Sequence, residues 1–103
     1  MDIIQSINFI NFDFIKKHPR LNWDWQELSR NKSIDLNFVK DNLTLNWSWN
    51  GLSSNIYLNW NFVKDNPQLN WSWDQLSWNE SIDWKFVKDN PTLNWNWKVL
   101  SRN

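Results

Sequence analysis

The sequence predicts an all-α protein, a short α-solenoid of about four 24-residue repeats with two short helices each. Three observations lead to this prediction. The motif Leu-Asn-Trp-x-Trp-x-x-Leu-Ser recurs at a constant step of 24 residues, a period typical of repeat architectures. Each half-repeat opens with an apolar residue followed by Asn or Asp, which are preferred helix N-caps. Proline then closes the first half of three repeats, where it stops a helix.

The repeat motif divides the whole chain, residues 1–103, into one repeat domain. Its copies occupy residues 21–29, 45–53, 69–77 and 93–101, and a Phe-Ile/Val-Lys-Lys/Asp motif precedes each of them. The predicted repeats are residues 10–33, 34–57, 58–81 and 82–103. Residues 1–9 come first, and their Ile4 aligns with Leu28 at the same step. We therefore expect residues 1–9 to act as an N-terminal cap.

Capping signals place the helices inside each repeat. The first helix runs roughly over residues 84–90 in the last repeat and ends before Pro91, while Leu43 replaces the proline in the second repeat. The second helix is predicted to follow the Leu-Asn pair directly, over roughly residues 71–78. An Asn follows each second helix, and we expect it to adopt the left-handed C-cap conformation. These residues are Asn31, Asn55, Asn79 and Asn103.

A β-solenoid is the alternative fold. Leu45, Trp47 and Trp49 alternate with polar residues, which is the usual signal of a strand. The alternation covers only a cap and one turn, however, and then gives way to the i, i+3 spacing of Trp49 and Leu52. A single Gly in the chain also suits a β-solenoid poorly. Helices are therefore the preferred interpretation.

The composition excludes some function classes and disfavours others. Eleven Trp and no Ala indicate that indoles fill the layers between helices. Lys plus Arg equals Asp plus Glu, so the chain lacks the basic excess of a phosphate-backbone binder, and nucleic acid is a disfavoured partner. No Cys is present, which excludes disulfides and thiolate metal sites. We see neither a secretory leader nor a membrane span.

With the two motifs Leu-Asn-Trp-x-Trp-x-x-Leu-Ser and Phe-Val-Lys-Asp-Asn-Pro, residues 10–103 resemble the tryptophan-repeat proteins of large DNA viruses of insects and protists. The chain departs from the pattern at Leu36 and Leu43, where other repeats have Trp and Pro. The resemblance implies a viral repeat protein without catalytic residues. Together with the N-terminus, it predicts an intracellular location, in host cytoplasm or nucleus, or a place in the virion, rather than secretion.

The sequence contains no recognisable catalytic arrangement, and we predict a protein that is not an enzyme and uses no cofactor. His18 is the only His and precedes Pro19 at the place where the other repeats have Asn42, Asn66 and Asn90, so it is expected to cap a helix end. The repeated Trp pairs, such as Trp71 and Trp73, could form a stacking platform for single-stranded nucleic acid. Identical occupancy in every repeat is more typical of core packing.

Positions that differ between repeats indicate a binding surface better than those that repeat. Where the first repeat has Arg30, later repeats have Ser, Trp and Arg, a variation that a buried position would not accept. Trp, Tyr and Arg are common interface anchors. The candidate partner-binding residues are Arg30, Ile56, Tyr57, Trp78 and Arg102.

A second candidate surface lies at the C-terminal end. Val99 replaces polar or small counterparts, and terminal repeats normally need a polar outer face. We therefore expect Trp97, Val99 and Leu100 to be covered by another chain or a second copy. The predicted function is a non-enzymatic protein-interaction or structural repeat module that binds a host or viral protein or itself. The alternative is single-stranded nucleic-acid binding through Trp stacking.

Overall fold

The fold consists of short α-helices joined by tight turns. A computed structural model describes residues 11–102, and within this range it contains eight helices and no strand. The helices are α1 Phe12–Lys17, α2 Trp25–Ser29, α3 Leu36–Asp41, α4 Trp49–Ser54, α5 Trp60–Asp65, α6 Trp73–Trp78, α7 Trp84–Asp89 and α8 Trp97–Leu100. The all-α prediction is confirmed and the β-solenoid alternative is wrong. The predicted cap of residues 1–9 and the predicted C-cap Asn103 lie outside the described residues.

The odd-numbered helices begin and end where the capping signals predict. Their N-cap side chains accept backbone N–H groups of the first turn, which leaves fewer of these donors unpaired. The N-caps are Asn11, Asp35, Asn59 and Asp83. At the other end of α1 the C-cap is His18, whose N–H donates to Phe14 and Ile15 carbonyls. Asn42, Asn66 and Asn90 are the corresponding C-caps.

The even-numbered helices begin later than predicted. Their N-caps are Asp24, Ser48, Ser72 and Asn96, two residues beyond the Asn of each Leu-Asn pair. The intervening Trp is the physical reason. The Trp71 indole Nε1 donates to the Asn66 carbonyl at 2.8 Å, and the Trp71 backbone N–H turns back to the Leu69 carbonyl. These two bonds hold the chain in a turn, so the helix begins at Trp73.

The Asn residues after α4 and α6 do not adopt the left-handed conformation that the sequence suggests. Asn55 has φ −66° and ψ 119°, and Asn79 has φ −63° and ψ 125°. Within residues 11–102 no residue has a positive φ. Both side chains are buried and donate to carbonyls of the preceding repeat. This hydrogen bonding fixes an extended backbone in place of a left-handed cap.

Indoles fill the interior, as the composition predicts. Trp23, Trp47, Trp71 and Trp95 keep 5–7% of their surface exposed. Each of the last three receives an edge-to-face contact from a Trp of the preceding repeat, with ring centroids 5.0–5.2 Å apart. Such pairs contribute about 0.5–1.5 kcal/mol beyond area burial. Helix α4 contacts both α2 and α6, and α6 contacts α8, in a body of 42 × 24 × 17 Å.

Candidate functional site

Hydrogen bonds between neighbouring repeats align one edge of the molecule. The Asn55 side-chain amide donates to the Ser29 carbonyl at 3.0 Å and to the Asn31 carbonyl at 3.1 Å. One repeat later, Asn79 donates to the carbonyls of Ser53 at 2.9 Å and Asn55 at 3.0 Å. The segments that follow α2, α4 and α6 are therefore held side by side. Their neighbouring residues consequently share one edge.

Four of the five candidate partner-binding residues adjoin these segments, and we call all five the variable edge: Arg30, Ile56, Tyr57, Trp78 and Arg102. All five are exposed. Ile56 exposes 56% of its surface, Tyr57 59% and Trp78 50%. Because Asn79 bonds to Asn55, the backbone beside Trp78 adjoins the backbone beside Ile56. Arg102 follows α8, at the corresponding place in the last repeat.

Tyr57 lines two open grooves. A groove of about 660 Å³ is lined by Tyr57 and Arg30 together with Asp24, Gln26, Glu27, Asn31 and Lys32. A smaller groove of about 400 Å³ is lined by Tyr57 as well and includes Ile34, Leu36 and Phe62. The first groove is polar with both charge signs, and the second combines these apolar side chains with polar ones, among them Asp35, Asn37 and Asn59. Ile56, Trp78 and Arg102 line neither of these two grooves.

Of the three residues predicted to form a C-terminal surface, one is exposed and two are buried. Trp97 is 50% exposed, but Val99 and Leu100 keep only 6% and 4% of their surface. Their place in the interior corrects the prediction that they await a covering chain. Gly51, the counterpart of Val99 in the second repeat, directs its Cβ position towards Ser29 of the preceding repeat. Val99 accordingly lies on the side of α8 that contacts α6, and does not form the outer face.

One exposed residue at this end was missed by sequence reasoning. Trp84 is 46% exposed, whereas its counterpart Trp60 is 8% exposed and lies against Phe86 of the following repeat. Trp84 aligns with Trp60, Leu36 and Phe12 at the 24-residue step, so the repeat pattern marks the position but not its exposure. Nearby, Lys85 donates to Asp89 at 2.8 Å, and this bond lowers the pKa of the Asp89 carboxyl. The pair is solvent-exposed.

The first Trp of each repeat does not offer an open ring face. Trp23, Trp47, Trp71 and Trp95 are buried, and each donates its Nε1 hydrogen to a backbone carbonyl five residues earlier, at 2.8–3.0 Å. Their faces contact other side chains, such as Phe62 against Trp71. Bases could not stack on these rings without opening the core.

Residues 11–102 were searched for metal sites and membrane-spanning helices. This part of the chain contains no group of three or more His, Cys, Asp or Glu side chains placed to hold a metal ion. None of its helices is long and apolar enough to cross a bilayer. Comparisons with known protein families, with curated proteins and with solved structures give no match. Function must therefore be argued from the exposed side chains.

Proposed function

We propose that this protein is a non-enzymatic protein-interaction module, a short α-solenoid that binds a partner protein through its variable edge. The observation that carries the proposal is the exposure of Ile56, Tyr57 and Trp78. The fold does not require apolar side chains at these positions, since the corresponding residues of other repeats are Lys, Glu, Ser and Arg. A Trp and a Tyr with about half of their surface in water are suited to anchor a protein interface.

The solenoid part of the proposal rests on the junctions between repeats. Each described junction uses the same edge-to-face Trp pair and the same Ser hydroxyl accepting a backbone N–H of the next repeat. Helices of four to six residues are too short to be stable alone. Stacking of neighbours is therefore what we expect to hold the fold together, as in other repeat proteins.

The proposal also includes a viral origin and a location inside an infected cell or in a virus particle. The resemblance to viral tryptophan-repeat proteins suggests a role as an adaptor inside an infected cell or as a structural component of a particle. An interaction module with exposed anchors suits either role. The alternative of single-stranded nucleic-acid binding is less well supported, because only three of the eleven indoles are exposed and the net charge is zero.

The experiment compares the proteins that the wild type and Trp78→Arg capture from a host-cell lysate, each with and without nuclease. Arg is compatible with this position, because Arg30 and Arg102 occupy it in other repeats. Leu43→Arg is the matched control, since Leu43 is 46% exposed in the turn after α3 and is not part of the variable edge. Circular dichroism checks that both variants are folded.

A partner that resists nuclease, is lost with Trp78→Arg and is retained with Leu43→Arg would support the proposal. Equal capture by all three proteins would reject the variable edge as the binding site. Partners that disappear on nuclease treatment would favour the nucleic-acid alternative. In that case oligonucleotide should quench the exposed indoles in a salt-dependent way.

A further inference from the structure

Three turns of the same kind lie side by side along the variable edge. Each begins at the Asn after an even-numbered helix, whose carbonyl accepts the backbone N–H three residues later at 3.1–3.2 Å. The side-chain oxygen of the same Asn accepts the N–H two residues later at 2.8–2.9 Å. The amides of Asn55 and Asn79 also donate to the Asn31 and Asn55 carbonyls, respectively. The turns are therefore held in register, and residues at equivalent positions are neighbours.

The residues on either side of the turn Asn differ in chemistry from one repeat to the next. We call residues 30–33, 54–57 and 78–81 the first, second and third turns. From the first turn to the third, the flanking residues are basic, then small and apolar, then aromatic and acidic. They are Arg30 and Lys32, Ser54 and Ile56, and Trp78 and Glu80, of which all but Ser54 are exposed.

The first turn offers two cations to a carboxylate. Arg30 and Lys32 are exposed, and within residues 11–102 neither of them forms an ion pair. Both line the groove of about 660 Å³, together with Tyr57 of the second turn. The carboxylates of this groove, Asp24 and Glu27, belong to the start of α2, whereas Arg30 caps its end. An anionic side chain is therefore attracted at the turn and repelled at the other end of the groove.

The second turn suits an apolar side chain and the third suits an Arg. Ile56 and Tyr57 each expose more than half of their surface. In the third turn Glu80 supplies a carboxylate, and Trp78, two residues earlier, supplies a half-exposed indole. A guanidinium group can pair with a carboxylate and stack on an aromatic ring. The three turns together thus fit a sequence of acidic, apolar and basic groups.

The distance between the turns determines how those groups are spaced. Four repeats occupy a body 42 Å long, so successive turns are about 10 Å apart, as expected for packed helices. In a polyproline II segment every third residue returns to the same side after about 9 Å. In a β-strand, residues i and i+3 point to opposite sides. A bound helix would need an apolar stripe to bury, and the first turn is charged.

We propose that the three turns bind an extended segment of the partner protein in polyproline II conformation. The segment carries an acidic residue at the first turn, an apolar residue three positions along at the second, and an Arg three positions further at the third. This inference rests on the proposed function and specifies what the partner presents to the variable edge. Because such a segment is already extended before it binds, it loses little conformational entropy.

The test is selection of random peptides from a display library against the immobilised full chain. Peptides enriched by the wild type should carry the acidic residue, the apolar residue and the Arg at successive three-residue intervals. The double variant Lys32→Glu with Glu80→Lys keeps the net charge and uses side chains that the same turn position already carries in another repeat. It should instead enrich an acidic residue at the place where the wild type enriches Arg.

Titration of the leading wild-type peptide locates the contact. Lys32→Glu should weaken its binding about tenfold, since repulsion replaces attraction to the acidic residue. Exchanging that acidic residue of the peptide for its neutral amide should weaken binding to the wild type but not to Lys32→Glu. Lys40→Glu is the matched control, because Lys40 is exposed in the last turn of α3 and lines neither groove. It should bind the peptide like the wild type.

Three results would overturn the inference. The first is a selection that enriches no peptide, and the second is enrichment of peptides with another order or spacing. The third is equal binding of the leading peptide by Lys32→Glu and Lys40→Glu. Circular dichroism of each variant checks that a loss of binding does not reflect a loss of folding.

These outcomes are distinct from those of the proposed function. If no peptide is enriched while Trp78-dependent capture of a protein persists, the variable edge recognises a folded surface and only the extended segment is rejected. If peptides follow the predicted pattern while Trp78→Arg captures the same proteins as the wild type, the segment preference stands. The captured proteins then use another surface, and the proposed function of the variable edge is rejected.

Discussion

Ser53 Oγ accepts the backbone N–H of Ser72 at 2.9 Å, so the end of α4 supplies a hydrogen bond at the start of α6. Ser72 in turn caps α6 by accepting from the Gln75 N–H. The same relationship joins Ser29 to Ser48, and Ser77 to Asn96. A repeated Ser with no evident role in the sequence thereby connects successive repeats.

Ser53→Ala should destabilise the protein by about 1–3 kcal/mol, because the Ser72 N–H loses its acceptor in a partly buried junction. Chemical denaturation followed by circular dichroism measures the change. Ser54→Ala is the matched control, since Ser54 bonds only weakly within its own helix, at 3.3 Å. Its expected change is below about 0.5 kcal/mol. Equal losses for the two variants would contradict the importance of the junction bond.

Asn79→Asp should destabilise the protein by about 2–4 kcal/mol, because it replaces a buried amide donor with a carboxylate facing two carbonyl oxygens. The substitution barely alters shape, so the effect reports on hydrogen bonding. Asn61→Asp, at an exposed position in the first turn of α5, should stay within about 0.5 kcal/mol of the wild type. Thermal unfolding of the two variants in parallel tests this. A tolerated Asp at position 79 would mean that these bonds contribute little.

Trp71→Phe should cost about 2–3 kcal/mol, since it leaves the Asn66 carbonyl without its indole donor and opens space beside Trp49. Trp78→Phe makes the same change at a half-exposed ring and should cost less than about 0.5 kcal/mol. Urea denaturation distinguishes them. Similar free energies of unfolding would argue against the burial of Trp71.

Repeating residues 58–81 once more after Ser81 should raise the midpoint of thermal unfolding. The insertion adds one further junction of the kind already present, and in repeat proteins stability grows with the number of such interfaces. A 24-residue insertion of the same composition in scrambled order is the control and should lower the midpoint. A duplicated repeat that leaves stability unchanged would count against the proposed solenoid.

Part of this architecture follows from short-range chemistry, and that part was predictable. The N-caps Asn11, Asp35, Asn59 and Asp83 act within three residues of themselves, so sequence alone locates them. The burial of Trp47 and Trp71 follows from their identical occupancy in successive repeats. Exposure at Trp78 was predictable because its counterparts vary in polarity.

Other features depend on contacts that join residues far apart in the sequence. Asn55 resembles a helix-ending residue, but its amide reaches Ser29, 26 positions earlier, and that bond determines its backbone. The prediction for Val99 was wrong because sequence alone does not show which side of α8 contacts α6. The late start of α6 depends on an indole reaching back to a carbonyl, which local capping preferences do not describe.

The identity of the junctions has a consequence for how such a protein changes over time. Recombination between two repeats of the coding sequence removes or adds a whole unit. The new neighbours then meet through the same Ser, Asn and Trp side chains as the old ones. The length of the molecule is thus free to vary by duplication and deletion without new contacts having to arise. The exposed residues of each unit can diverge without altering the junctions, so surface chemistry and body length can change separately.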